Sequence, residues 1–156
     1  MAVQTGKVKG RRKLNFTSYD ELLDCARRLS QSPTRQLGNW SLGQICEHLA
    51  AAMDMAIDGA AFKPSLLARW FGPLLKKRFL TRGMPSGFQL PSSAVKLLPS
   101  NSESAAGLLA LERAIARLNQ EPTRTRHAVF GHLTHEEWDQ LQLRHAEMHL
   151  SFIEPQ

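Results

Sequence analysis

Apolar residues recur at helical spacing in four separate stretches of this chain, and no stretch shows the strict two-residue alternation of a strand. In NFTSYDELLDCARRLSQS, Leu22, Ala26 and Leu29 form the stripe, and Ser18 with Glu21 three residues on reads as a capping box. In GNWSLGQICEHLAAAMDMAIDG, Ser41 and Gln44 form the box and Gly59 supplies the stop. SESAAGLLALERAIARLNQ carries Leu108, Leu111, Ile115 and Leu118 in phase. A fourth helix is predicted from Thr134 to near Pro155. The second and fourth helices begin alike. Trp40 ahead of the cap is placed to pack on Ile45, and Leu133 on Trp138, each as a hydrophobic staple.

Between the second and third helices lies a segment of a different kind, residues 60–102, which holds five of the eight prolines. It cannot be one regular helix, although residues 65–80 can form a short one around Pro73. Its length lets the third helix run parallel to the second, which a short turn forbids. The pattern predicts an all-α fold: a single domain over 1–156, an up-and-down four-helix bundle with one long crossover.

Charge changes the picture in two places. The net charge is +6, but residues 1–13 hold five basic residues and residues 63–82 hold six, with no acidic residue in either. The remainder is net negative, with nine basic residues against fourteen acidic. The first patch reads as a basic N-terminal arm, since no apolar run follows Arg11 and Arg12 as an export signal requires. The second belongs to the crossover and suits an anionic surface or a small anionic substrate. Cys25 and Cys46 have no framework spacing, so a reduced compartment, the cytoplasm, is expected.

Helical phase sets Trp138, Leu141, His145, Met148, His149 and Phe152 on one face of the fourth helix, with Gln140, Arg144 and Glu147 elsewhere. On the second helix, His48 falls in the stripe with Ile45, Leu49, Ala52 and Met53, and Glu47 points outward. Three histidines on two helices thus occupy positions where burial is predicted. One buried histidine is ordinarily a satisfied hydrogen-bonding residue. Three without a common partner would each need a separate hydrogen-bond solution, whereas one divalent ion serves all three. Cys46 lies roughly 160° around the helix from His48 and reads as a packing residue. His132 and His135 read as surface or capping residues, and no general base stands out, Glu47 and Glu147 included.

NWSLGQICEHLA, followed at the end of the chain by FGHLTHEEWDQLQLRHAEMHLSF, resembles the DinB/YfiT-like superfamily of four-helix bundles, in its branch called domain of unknown function 1569. The resemblance spans nearly the whole chain and includes RRKLNF and GNW. It implies a crossover between the second and third helices, frequent homodimers, and a metal site of one histidine on the second helix with a His-x-x-x-His pair on the last. Here these are His48, His145 and His149. Two departures bear on the cavity wall: Met148 stands where a second histidine beside His149 is expected, and Ala128 where a proline is expected after His127. His127 is a candidate for contact with the ligand histidines.

Three neutral histidines leave a coordination position open, as in catalytic sites. Relatives in the superfamily use low-molecular-weight thiols in transfer or isomerisation reactions. The resemblance therefore implies a metal-dependent thiol S-transferase or detoxifying enzyme acting on a small molecule, with Arg69, Lys76, Lys77 and Arg78 as candidates to meet anionic groups. Histidine-rich sites accept several divalent ions, zinc or nickel expected first. The alternative is a non-enzymatic metal- or ligand-binding bundle that docks through its basic crossover. Nucleic-acid and membrane binding are less favoured than a short helix packed over the bundle mouth. A third reading has the metal only tying the second helix to the fourth.

Overall fold

The computed structural model describes residues 2–60, 62–87 and 93–156. The parts of the expected crossover at 61 and 88–92 lie outside the described residues. The protein is mostly helical: α1 spans Tyr19–Ser30, α2 Leu42–Asp58, α3 Leu66–Arg82, α4 Ser104–Gln120 and α5 His135–Leu150. Two short strands, β1 (Thr34–Gln36) and β2 (Ile153–Pro155), complete it, with 3-10 turns at Thr5–Lys7 and Val95–Leu97. Among the described residues no helix is long and apolar enough to cross a membrane.

The helices start where their caps dictate. Ser41 and Gln44 exchange both bonds of a capping box, as do Thr134 and Glu137, so two of the orphan donors at each start are satisfied. At α1 the box is altered: Ser18 accepts from Glu21 N, but the Glu21 carboxylate reaches back to Thr17 N at 2.7 Å. Gly59 closes α2 at φ 87°, a value that favours glycine.

α2 and α4 form the centre of the bundle and run in the same direction. At their amino ends Gly107 lies against the Gly43 backbone so closely that a Cβ on either would strike the backbone of the other's segment. At their carboxyl ends Arg117 spans Asp54 at 2.8 Å and Asp58 at 2.6 Å. Parallel neighbours need a long connection, which the crossover provides. The core between α1, α2, α4 and α5 is built on Leu22, Ile45, Leu49, Met53, Leu111 and Leu150, all nearly sealed from solvent.

The helix expected over 65–80 is found as α3, 17 residues with Pro73 inside it. Proline forfeits one backbone bond but its fixed φ is helical, and Ser65 caps the start by accepting from Ala68 N. The last helix ends at Leu150, not near Pro155, and the residues after it pair antiparallel with β1, Arg35 opposite Glu154. Phe152, expected on the helical face, lies beyond the helix end, against Gly38 and beneath the Arg11 guanidinium. Three-residue strands are too short to reveal a period of two. Finally, Glu147 does not point outward. Its side chain is 12% exposed, accepts from Phe16 N at 2.6 Å and forms an ion pair with Arg144 at 2.7 Å. The N-terminal basic segment packs over this region, with Arg11 on the Ser151 hydroxyl and Arg12 on Cys25 Sγ.

Candidate metal centre

The capping box of α2 fixes the register that turns His48 inward, and the box of α5 does the same for His145 and His149, one helical turn apart. Their Nε2 atoms converge. His48 Nε2 lies 3.2 Å and His149 Nε2 3.0 Å from His145 Nε2. The three candidate ligand atoms fall within 4.8 Å of one another. A tetrahedral ion at roughly 2.0 to 2.1 Å from each nitrogen would hold neighbouring nitrogens about 3.3 Å apart. The two spacings to His145 Nε2 are close to that, and the third lies within 4.8 Å.

Protonation argues in the same direction. Burial holds His48 below its ordinary pKa, partly offset by the Leu97 carbonyl. His145 and His149 lie well below theirs, through burial first and then the neighbouring imidazoles. All three are therefore neutral near pH 7. His48 Nδ1 donates to Leu97 O at 2.7 Å, so its only proton is committed and Nε2 is a bare lone pair. His145 Nε2 then faces two nitrogens, and one hydrogen can bridge only one of these contacts well. A cation among the three lone pairs removes the conflict. The residues fit a metal ion, with the Leu97 carbonyl orienting one ligand from behind.

The histidines open on a cavity of about 930 Å³ walled by α2, α3, α5 and the segments at 38–40, 84–87 and 127–130. Trp40 stacks on His149, centroids 5.4 Å apart, and tilts against His48 at 4.8 Å. Sequence reasoning cast it as a staple; it also forms part of the site wall. Gln142 was missed. Its phase, four residues after Trp138 and three before His145, was the available signal, and its amide donates to Ala52 O at 3.2 Å. His127 touches none of the three histidines by hydrogen bond, but it lines the same cavity between Phe130 and Trp138.

The described residues lining this cavity include no charged side chain. Arg69, Lys77 and Arg78 are exposed along α3, and Lys76 pairs with Glu137 at 2.7 Å at the start of α5. None of the four reaches the histidines. Glu47 holds the entry to α4 by accepting from Ser100 N and from the Ser100 and Ser102 hydroxyls, which keep its pKa below the ordinary value. Glu147 faces the N-terminal segment, where burial raises its pKa against the opposing Phe16 N–H and Arg144. Cys46 is sealed in the core with its thiol pushed up to about 12, by burial first and then Cys25, so it is a packing residue. His132 and His135 are exposed.

Comparisons with curated proteins and with solved structures each returned no match. The model of one family, described as "Protein of unknown function (DUF1569)", matches residues 8–156, and the chain belongs to that family.

Proposed function

We propose that the protein is a divalent-metal-dependent enzyme of the DinB-like type, acting on a small molecule held in the cavity. The observation that carries this reading is the convergence of three neutral imidazole nitrogens, from two separately capped helices, at the wall of a large cavity. A structural site closes its coordination shell with protein, whereas three ligands leave a position open. A divalent ion bound there would supply Lewis acidity, enough to favour the ionised form of a thiol or water at neutral pH. His48, His145 and His149 hold the ion. Trp40 stacked on His149 restricts that ring, and the largely apolar wall would favour an apolar ligand over water. A low-molecular-weight thiol as co-substrate, and hence an S-transferase or detoxifying reaction, is the finer form of the proposal. It rests on the resemblance to relatives that use such thiols.

The second reading, a metal- or ligand-binding bundle without catalysis, is favoured by the absence of any carboxylate among the described cavity-lining residues to serve as a general base. Elemental analysis of protein prepared without metal-affinity chromatography, followed by a panel of thiols and electrophiles, separates the two. About one divalent ion per chain, lost in His145→Ala, with thiol-dependent turnover supports the enzyme. An ion without turnover supports the binding protein, and no ion with none taken up on titration removes the metal from both.

A further inference from the structure

His127 is held in one tautomer by the main chain. Its Nδ1 accepts from Val129 N at 3.1 Å and from Phe130 N at 2.9 Å, so that nitrogen carries no proton. The ring is kept neutral by burial, which lowers its pKa to about 4. The one remaining proton therefore sits on Nε2. Among the described residues Nε2 has no hydrogen-bond partner. Nor is it sealed in, since the side-chain atoms buried without a partner are Arg124 Nε and Arg144 Nε. It is a fixed N–H donor on a residue that lines the cavity.

Gln142 offers the complement. Ala52 O can only accept, so the Gln142 amide nitrogen faces it, and the carbonyl oxygen of this cavity-lining residue remains as an acceptor. The rest of the described wall is largely apolar, with Ile45, Met55, Phe79 and Leu141 among its members, and the polar side chains of Asn39, Ser65 and Ser86 on it are already bonded to main-chain groups. A charged ligand body would lose its hydration there with no opposite charge among the described lining residues to replace it.

We propose that this cavity selects an uncharged, predominantly apolar substrate bearing a carbonyl-type oxygen, which His127 holds through Nε2–H. The inference rests on the reading of this cavity as the functional site. It requires no ion, because the selection lies in the protein wall.

The test uses the full chain in metal-free buffer at about pH 8, with three probes of one shape: acetylnaphthalene, naphthoate and ethylnaphthalene. Equilibrium dialysis measures their affinities for wild type and for His127→Asn. Asparagine places an acceptor oxygen near the position of Nδ1, which keeps the backbone bonds of Val129 and Phe130, but it lacks the reach of Nε2. The expected result is that acetylnaphthalene binds wild type about tenfold or more tighter than naphthoate. In His127→Asn its affinity falls about fivefold while that of ethylnaphthalene is unchanged, the loss of one hydrogen bond. Naphthoate binding as well as the ketone, equal losses for ketone and hydrocarbon, or no binding of any probe would each overturn the proposal. Circular dichroism confirms that the variant is folded. Should it unfold, the wild-type ranking of ketone over naphthoate and over ethylnaphthalene decides the matter. Metal content is read separately by elemental analysis, so failure of the metal reading leaves this result intact.

Discussion

α2 and α3 have the same length, 17 residues, and both are rich in apolar side chains, yet they are held in opposite ways. α2 buries nine of its residues, against α4 on one side and the site on the other. α3 buries three, Gly72, Phe79 and Leu80, and turns Leu66, Leu67, Trp70 and Leu74 outward, each more than 70% exposed. Helix formation is settled by local chemistry: caps, propensity and the position of proline. Burial depends on what the rest of the chain brings alongside. α3 touches the bundle through Gly72 against Val129, Phe79 against Phe130 and Lys76 against Glu137. Its other face has no cover among the described residues, and a second copy of the chain, expected from the resemblance, is the proposed cover.

The contrast can be broken most sharply at the histidines. His48→Ala on α2 should abolish stoichiometric metal uptake, while Lys77→Ala on α3 should leave it unchanged; inductively coupled plasma measurements on both variants suffice, and retained metal in His48→Ala would sink the ligand assignment. Next in size is packing. Gly43→Ala drives a Cβ into the backbone at the start of α4 and should cost about 3 kcal/mol in denaturant titration. A loss below about 1 kcal/mol would mean that the two helices separate more easily than their contact indicates.

Acid should then weaken the metal-free protein through the α2 and α5 side of the site. His48, His127, His145 and His149 all have folded pKa values below the ordinary 6.5, so below that pH the unfolded chain binds more protons than the folded one. Their contribution is present above about pH 6.5 and is lost as pH falls toward the folded values, which for His127 is about 4. The urea midpoint should drop between pH 7.5 and 5; a flat profile would contradict the burial of these rings. Smallest is the outer face of α3. Trp70→Ser should change chain stability by no more than about 0.5 kcal/mol, because Trp70 is 79% exposed. The same variant should shift any self-association seen by light scattering toward monomer. A stability loss comparable to that of Gly43→Ala would show that α3 is held from its outer face.

Much of this was legible in the residues. Caps at Ser18, Ser41 and Thr134 and stripes such as Leu111, Ile115 and Leu118 gave four helices, because both signals are local in the chain. The clustering of the three histidines was legible because helical phase alone brings His145 and His149 together and turns His48 inward. The pairing of residues 153–155 with 34–36 was not, since its main-chain bonds depend on neighbours more than a hundred positions away. The same holds for the docking of Arg11 on Ser151. Trp40 could be read as a staple from its place before the cap, but its stacking on His149 required knowing where α5 lies. The uncharged wall was hidden because Arg69, Lys77 and Arg78 are near the cavity in sequence yet face away from it in space.

The bond from His48 to the Leu97 carbonyl has an evolutionary corollary. A main-chain oxygen is present whatever residue occupies position 97, so substitution drift there cannot delete the acceptor. Insertion or deletion can, by sliding a different peptide group, or none, behind the imidazole. Selection on this stretch should therefore act on its length more than on its spelling. Homologous chains would be free to diverge in wording between α3 and α4 while conserving the number of residues that separate Gly83 from the turn at Val95–Leu97.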